Sequence, residues 1–205
     1  MAMHGLNQQF DYDLAVVCGG SAGYAAARTV VIESGAEVGG LCILRGCMPT
    51  KALPRAAEIM QHARQMEAWG IRAENVGFDF SKVMARKDAF IADLAIDRRQ
   101  QLASGQFKFL RGQANFIDPH RLAVTGHGTL SAGHFVIATG SSVAPSSLPG
   151  LHDVGYLTSD DALKLTELPK SLIVLGGGAV VVEFAQFFAR FGVHVPPVAR
   201  ALLRA

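Results

Sequence analysis

Two cysteines separated by four residues stand in the segment Gly39-Gly40-Leu41-Cys42-Ile43-Leu44-Arg45-Gly46-Cys47-Met48-Pro49-Thr50-Lys51. Four intervening residues on a helical turn can bring two sulfurs within disulfide range. Such a pair can cycle between disulfide and dithiol when one thiolate is activated. Lys51, four residues after Cys47, falls on the same helical face and can stabilise negative charge nearby. The same spacing also admits two unrelated buried thiols, or half of a metal site. A four-ligand zinc site needs partners, and His62 is the only nearby imidazole, so no metal centre is expected.

A second chemistry is written in glycine. Cys18-Gly19-Gly20-Ser21-Ala22-Gly23 and Gly176-Gly177-Gly178-Ala179-Val180-Val181 each follow an apolar run and precede an apolar helical stretch. A G-x-G-x-x-G turn between strand and helix binds a dinucleotide: the glycines give a tight turn, close backbone approach to the pyrophosphate and close helix–strand packing. The helix N-terminus attracts the anion, and an acidic residue ending the next strand holds ribose hydroxyls. Neither copy is complete, since Cys18 takes the first glycine position and Val181 the last.

The elements that must position these residues follow from pattern. Tyr12 to Val17 and Thr29 to Ile32 read as buried parallel strands, the second ending at Glu33, with a helix from Ala22 to Arg28 between them. Gly35 to Cys47 reads as a loop, and Lys51 to Trp69 as a helix. A further helix is expected after a Ser81 cap, with a face of Val83, Phe90, Leu94 and Leu102. Phe107 to Ala138 alternates as a small antiparallel meander. Thr158 to Leu165 reads as a short helix, Ser171 to Leu175 as a strand, and Val180 to Phe191 as a helix. The strand beginning at Val193 meets Pro196-Pro197, which disrupts it.

Composition narrows the class. Of 205 residues, 50% are hydrophobic and 18% charged, which excludes intrinsic disorder. The net charge of +2, with no block of like charges, leaves no footprint for nucleic acid. The longest apolar run, Ser171 to Val182, is shorter than the roughly 20 residues a bilayer needs, so no membrane partner is expected. Met1 to Phe10 lacks the basic and apolar regions of a secretory signal, and the expected setting is cytoplasmic.

Taken together these residues resemble the pyridine nucleotide-disulfide oxidoreductases, the family of dihydrolipoamide dehydrogenase, glutathione reductase and mercuric reductase. The resemblance rests on the cysteine segment, on Tyr12-Asp13-Leu14 before the first Gly turn, and on Arg111-Gly112-Gln113-Ala114. Ala138-Thr139-Gly140-Ser141, Thr158-Ser159-Asp160-Asp161-Ala162-Leu163 and the second Gly turn followed by Glu183 complete it. The order of these motifs matches from residue 11 to about residue 195. It implies an α/β fold: a Rossmann-like FAD-binding domain, with a parallel sheet and a three-stranded antiparallel meander, over residues 1–150. The beginning of a second nucleotide-binding βαβ unit, for NAD(P), would occupy 151–205.

The resemblance also implies a reaction and roles. Electrons would pass from NAD(P)H to FAD to a Cys42–Cys47 disulfide, and thence to a small-molecule disulfide or Hg(II), a task of cell redox homeostasis. Cys47 would be the flavin-proximal thiol, Cys42 the interchange thiol, and Lys51 would sit near the flavin. Gly19, Gly20, Ser21 and Gly23, with Gly40, would surround the FAD pyrophosphate, and Glu33 would hold the ribose. Ala114 would meet the adenine, Thr139 and Gly140 would line the flavin site, and Gly176, Gly178 and Glu183 would serve the nicotinamide nucleotide.

The chain departs from the pattern at several points. Ten positions separate Gly23 from Glu33, where roughly 20 are expected, so the first βαβ unit reads as shortened and Glu33 is not expected to reach the ribose. Leu41 stands where the family has Thr, and Pro54 lies near or inside the helix after the cysteines. The family's chains are more than twice as long, and their homodimer carries a His–Glu acid–base pair in a C-terminal part with no counterpart here. The alternative reading is therefore a catalytically silent, truncated or internally deleted remnant. Its apolar surface, notably Val180 to Phe191, would drive self-association or aggregation.

Overall fold

The computed structural model describes residues 10–20 and 28–198. The helix expected from Ala22, and the site residues Ser21 and Gly23, lie outside the described residues. Two compact units divide the chain: one holds 10–20, 28–42 and 94–142, the other 43–93 and 143–198.

The first unit is built on one six-stranded mixed sheet. Strand β1 (Tyr12–Val17) pairs in parallel with β2 (Thr29–Glu33), Val17 opposite Ile32. Strand β3 (Lys108–Arg111) adds in parallel to β2, with Arg111 opposite Glu33. Strands β4 (Ala114–Asp118) and β5 (Arg121–Val124) form the antiparallel hairpin, and β6 (Gly128–Ile137) closes the order β3-β2-β1-β6-β5-β4. The expected parallel sheet and meander are thus one surface, because β6 is ten residues long and serves both. Its first residues pair antiparallel with β5 and its later ones parallel with β1.

Both faces of the central strands are buried. Ala15, Val30 and Ile32 pack with Leu110, Leu122 and Leu130 on one side. Val16 and Val31 alternate onto the other, against Val38 and Leu102. A strand buried on both faces needs apolar residues at successive positions, which is how β1 and β2 read.

The segment expected as a loop over 35–47 contains a short helix, α1 (Gly40–Leu44), and α2 (Cys47–Arg64) starts four residues earlier than its periodicity indicates. Pro49 lies in the first turn of α2, where a missing amide costs nothing, and Pro54 lies well inside, where it removes one rung of the ladder. A short 3-10 turn follows over Met66–Trp69. Helix α3 (Phe80–Leu102) is capped by Asp79 rather than Ser81: the Asp79 carboxylate accepts from the Lys82 amide at 3.1 Å and from the Ser81 hydroxyl at 2.6 Å. Its expected inward residue Phe90 is exposed, and Met84 and Lys87 are buried instead. α1 and α3 each contribute residues to both units.

In the second unit α4 (Leu151–Val154) and α5 (Ser159–Ala162) precede a two-residue strand, β7 (Val174–Leu175). α6 (Ala179–Arg190) follows. β8 (Pro197–Val198) pairs in parallel with β7, and a lone bridge joins Ser171 to His194. Pro196 falls in the gap between that bridge and β8, while Pro197, expected to disrupt the strand with it, pairs with Val174, so the proline pair interrupts the ladder without ending it. The core joins Leu53, Ala57 and Met60 of α2 to Phe184, Phe187 and Phe188 of α6. The stretch Val180 to Phe191 is therefore not the exposed apolar face expected from the sequence: its phenylalanines are buried, and of its large apolar side chains Val180 and Val182 stand about half exposed.

Gly112, in the turn from β3 to β4, has no room for a side chain, since an added Cβ would stand 2.4 Å from the Thr125 carbonyl oxygen. Gly112→Ala is expected to destabilise the protein by about 1–3 kcal/mol through overpacking, read as a lower urea midpoint with an unchanged slope.

Candidate functional site

The four parallel strands of the first unit run in one direction, so their carboxyl ends share an edge. Val17, Glu33, Arg111 and Ile137 end β1, β2, β3 and β6 there. In an open α/β sheet this edge is where ligands bind. Gly19 and Gly20 follow β1 and are buried. Gly112 follows β3, its amide donating to the Glu33 carbonyl at 3.0 Å. Thr139 and Gly140 follow β6, where the Ala138 amide donates to the Val17 carbonyl at 3.0 Å. Ala114 opens β4 three residues beyond Arg111.

Glu33 lies at the centre of this edge. Its carboxylate accepts from the Gly19 amide at 2.8 Å and from the Gly35 amide at 2.7 Å, and the Cys18 thiol donates to it at 3.4 Å. The shortened connection read from the sequence therefore does not keep Glu33 away from the Gly turn. β1 and β2 keep full parallel register, and that register alone carries the carboxylate to Gly19. A carboxylate offers roughly four lone-pair sites, so an acceptor remains for a sugar hydroxyl.

Gly40 enters the same edge. Its φ is +65°, and an added Cβ would fall 2.8 Å from the Gly20 Cα, so the two backbones meet with no side chain between them. Leu41 lies beside Gly140, with 3.9 Å between its Cβ and the position a Gly140 Cβ would take. The one misfit is Cys18, at φ +97°, a left-handed conformation that suits glycine and strains a residue with a Cβ. Burial pushes the Cys18 thiol above its ordinary range, and the neighbouring Glu33 charge adds to the effect, which keeps it a proton donor. With this exception the donor set fits a dinucleotide: a carboxylate at the end of the second strand, a buried Gly turn after the first, and a second glycine backbone against it.

The cysteine segment is arranged differently from its sequence reading. Cys42 sits in α1, half-buried, and Cys47 opens α2, exposed, with the non-helical Arg45 and Gly46 between the helices. The pair does not share one continuous helical turn, and all three cysteines are free thiols. Cys47 occupies the first position of an 18-residue helix, the end at which the backbone's partial positive charge gathers. Lys51 stands one turn further along α2, and its ammonium lies 3.4 Å from the Glu183 carboxylate of α6. The resemblance places these two residues at different cofactors, and nothing in the sequence signals that they meet. Sequence reasoning also missed Arg45, paired with Asp160 at 3.6 Å. Its position between two cysteines was the only available signal.

The second Gly turn lies at the start of α6. Gly176 has φ +127°, and the Val181 methyl lies 3.1 Å from where its Cβ would be. Val181, which takes the last glycine position of the turn, is thus accommodated by the missing side chain of Gly176. Gly178 caps the helix with no side-chain hydrogen bond and with open space before it. First-turn amides without a side-chain acceptor are suited to a phosphate, so these residues also fit a nucleotide. Among the described residues no group of three or more His, Cys, Asp or Glu could hold a metal ion, and no helix is long and apolar enough to cross a membrane.

Residues 12–203 match the family model for pyridine nucleotide-disulphide oxidoreductases. The chain belongs to that family. It is 37% identical over 205 residues to a mercuric reductase of Streptomyces lividans, covering 94% of this chain and 43% of that one. It is 34% identical over 207 residues to a dihydrolipoyl dehydrogenase of Bacillus subtilis (strain 168), covering 90% and 43%. Among solved structures it matches the HOCl-induced flavoprotein disulfide reductase RclA from Escherichia coli at 31% identity and a TM-score of 0.67, covering 90% of this chain and 41% of that one. The chain thus spans about two fifths of the length of these relatives. The family's enzymes are oxidoreductases that use FAD and NAD(P)H, and its fold is the Rossmann-like α/β arrangement seen here.

Two outcomes test the Gly turn. Replacing Cys18 by Gly relieves left-handed strain of roughly 1–2 kcal/mol against an unfolded-state entropy cost of roughly 0.5–1 kcal/mol and the loss of the thiol hydrogen bond to Glu33, worth roughly 0.5–1.5 kcal/mol. Cys18→Gly is therefore expected to leave stability unchanged within about 1 kcal/mol in denaturant unfolding. In the native protein at neutral pH, mass-mapped alkylation by iodoacetamide is expected to label Cys47 well before Cys18.

Proposed function

We propose that this chain carries the FAD site and the redox-active cysteines of an NAD(P)H-dependent disulfide or mercuric-ion oxidoreductase. The division is 1–150 for the FAD domain and 151–205 for the start of the NAD(P) domain. The observation that supports this best is the meeting of Gly20, Gly40 and Glu33 at one sheet edge. It joins a dinucleotide turn to the very segment that bears Cys42.

FAD held at this edge would supply the two-electron chemistry that links NAD(P)H to the cysteine pair. The protein's part is to hold and to exchange. Glu33 would accept from ribose hydroxyls, and the backbone where Gly20 meets Gly40 would border the pyrophosphate. Ala114 borders the adenine, and Thr139 and Gly140 border the flavin. Lys51, steadied by Glu183, keeps a positive charge one helical turn from Cys47. Gly176 and Gly178 open α6 to the nicotinamide nucleotide. In the dithiol state the Cys42 thiolate attacks a substrate disulfide and expels one thiol. Cys47 then attacks the Cys42 sulfur, releasing the second thiol and closing the Cys42–Cys47 bond. With Hg(II) as substrate the two soft thiolates bind the ion. Cytoplasmic redox homeostasis, and a homodimer, are the setting this reading implies.

A silent remnant is the competing reading, and strained Cys18 in the Gly turn favours it. A reductive titration separates the two. Reconstituted with FAD, the wild-type chain is expected to show bound-flavin absorption and to consume about two dithionite equivalents per flavin, while Cys47→Ser consumes about one, the disulfide being a two-electron couple. A chain that retains no flavin, or takes up the same equivalents with and without Cys47, supports the remnant.

A further inference from the structure

Glu33 is held by two backbone amides, and only one of them belongs to the Gly turn. The other, Gly35, lies in the loop 34–37 that leaves β2, and a loop amide is only as well placed as its loop. That loop has a fastener. The Arg111 guanidinium, at the end of β3, donates through one amino group to the Gly35 carbonyl and through the other to the Ala36 carbonyl, the latter at 3.2 Å. Gly35 therefore receives Arg111 on its carbonyl side while its amide donates to Glu33 at 2.7 Å. Register explains the reach, since Arg111 stands directly opposite Glu33 on the neighbouring strand. The guanidinium also lies 5.8 Å from the centre of the Phe109 ring, on its own strand, which favours a cation held in one orientation.

We propose that Arg111 is a positioning residue for the adenosine end of the dinucleotide. By clamping the 34–37 loop it fixes the Gly35 amide, and through that amide the orientation of the Glu33 carboxylate that receives the ribose. The proposal rests on the FAD reading above. A planar fork is what two adjacent carbonyls require, and a lysine supplies only a point charge. Gly35 suits the arrangement as well: a Cβ there would stand 3.0 Å from the Glu33 Oε1.

The test compares Arg111→Met and Arg111→Lys with wild type, in the flavin-free protein and with FAD and FMN as probes. In the flavin-free protein, amide hydrogen exchange by NMR is expected to accelerate at Gly35 in Arg111→Met, with exchange in β1 unchanged. Unchanged protection at Gly35 overturns the clamp whatever the protein binds. With flavin, Arg111→Met is expected to weaken FAD affinity roughly fivefold to tenfold, the scale of one ordinary hydrogen bond. Affinity for FMN, which lacks the adenosine, should not change, and Arg111→Lys should restore part of the loss. In a Glu33→Gln background the Arg111→Met penalty is expected to vanish. Equal losses for FAD and FMN, or a penalty that persists without the Glu33 charge, overturn the proposal in favour of a purely structural arginine. A wild-type chain that takes up neither flavin sinks the functional reading and leaves the Gly35 exchange to decide the clamp by itself.

Discussion

Glu33 places a carboxylate at the carboxyl end of β2 with almost no solvent around it, and a buried charge must be met by hydrogen bonds or be very costly. The backbone meets it from two sides, through Gly19 after β1 and Gly35 after β2. That requirement organises the whole edge. The turn after β1 must curl back toward β2, Gly19 must carry no side chain into the carboxylate, and the loop after β2 must stay folded over it. The Arg111 contacts to the Gly35 and Ala36 carbonyls serve the last of these conditions. The site is thus built mainly from main-chain groups, with a single acidic side chain as its centre of charge.

Much of this edge was legible in the sequence. The apolar runs of β1 and β2 gave both strands within a residue, because a parallel strand buried on both faces cannot alternate. Glu33 was found as the acidic residue ending a strand. Chain length along the connection argues against Glu33 reaching a ribose, whereas its place beside Gly19 follows from β-sheet register, a property of two strands at once. Arg111 reaches two main-chain carbonyls and Gly35 offers a main-chain amide, groups every residue type carries, so only their placement shows what they hold.

The second unit shows the converse. Its helix α6 was expected to lie bare, and the fold buries Phe184, Phe187 and Phe188 against Leu53 and Ala57 of α2. Helical periodicity finds such a face without telling what covers it. The same packing brings the neighbouring polar positions Lys51 and Glu183 together, so an ion pair beside the cysteine helix comes as a by-product of apolar contact. Pro54, by contrast, sits inside α2 without ending it: tertiary burial on both sides of it, at Leu53 and Ala57, outweighs one lost backbone bond.

Strand β6 belongs to two ladders of opposite polarity, antiparallel to β5 over its first half and parallel to β1 over its second. Side chains along a strand alternate between faces, so inserting or deleting one residue near Ser131 or Ala132 would turn every later residue of β6 to the wrong side of the sheet. It would also displace the end of β6 that carries Thr139 and Gly140. The hairpin tip at Gly126 to Gly128 has open space around both glycines and can absorb such a change. Evolutionary tinkering with chain length in this half of the molecule is therefore channelled to the outer turns, and the junction between the ladders is left as the position where indels are least tolerable.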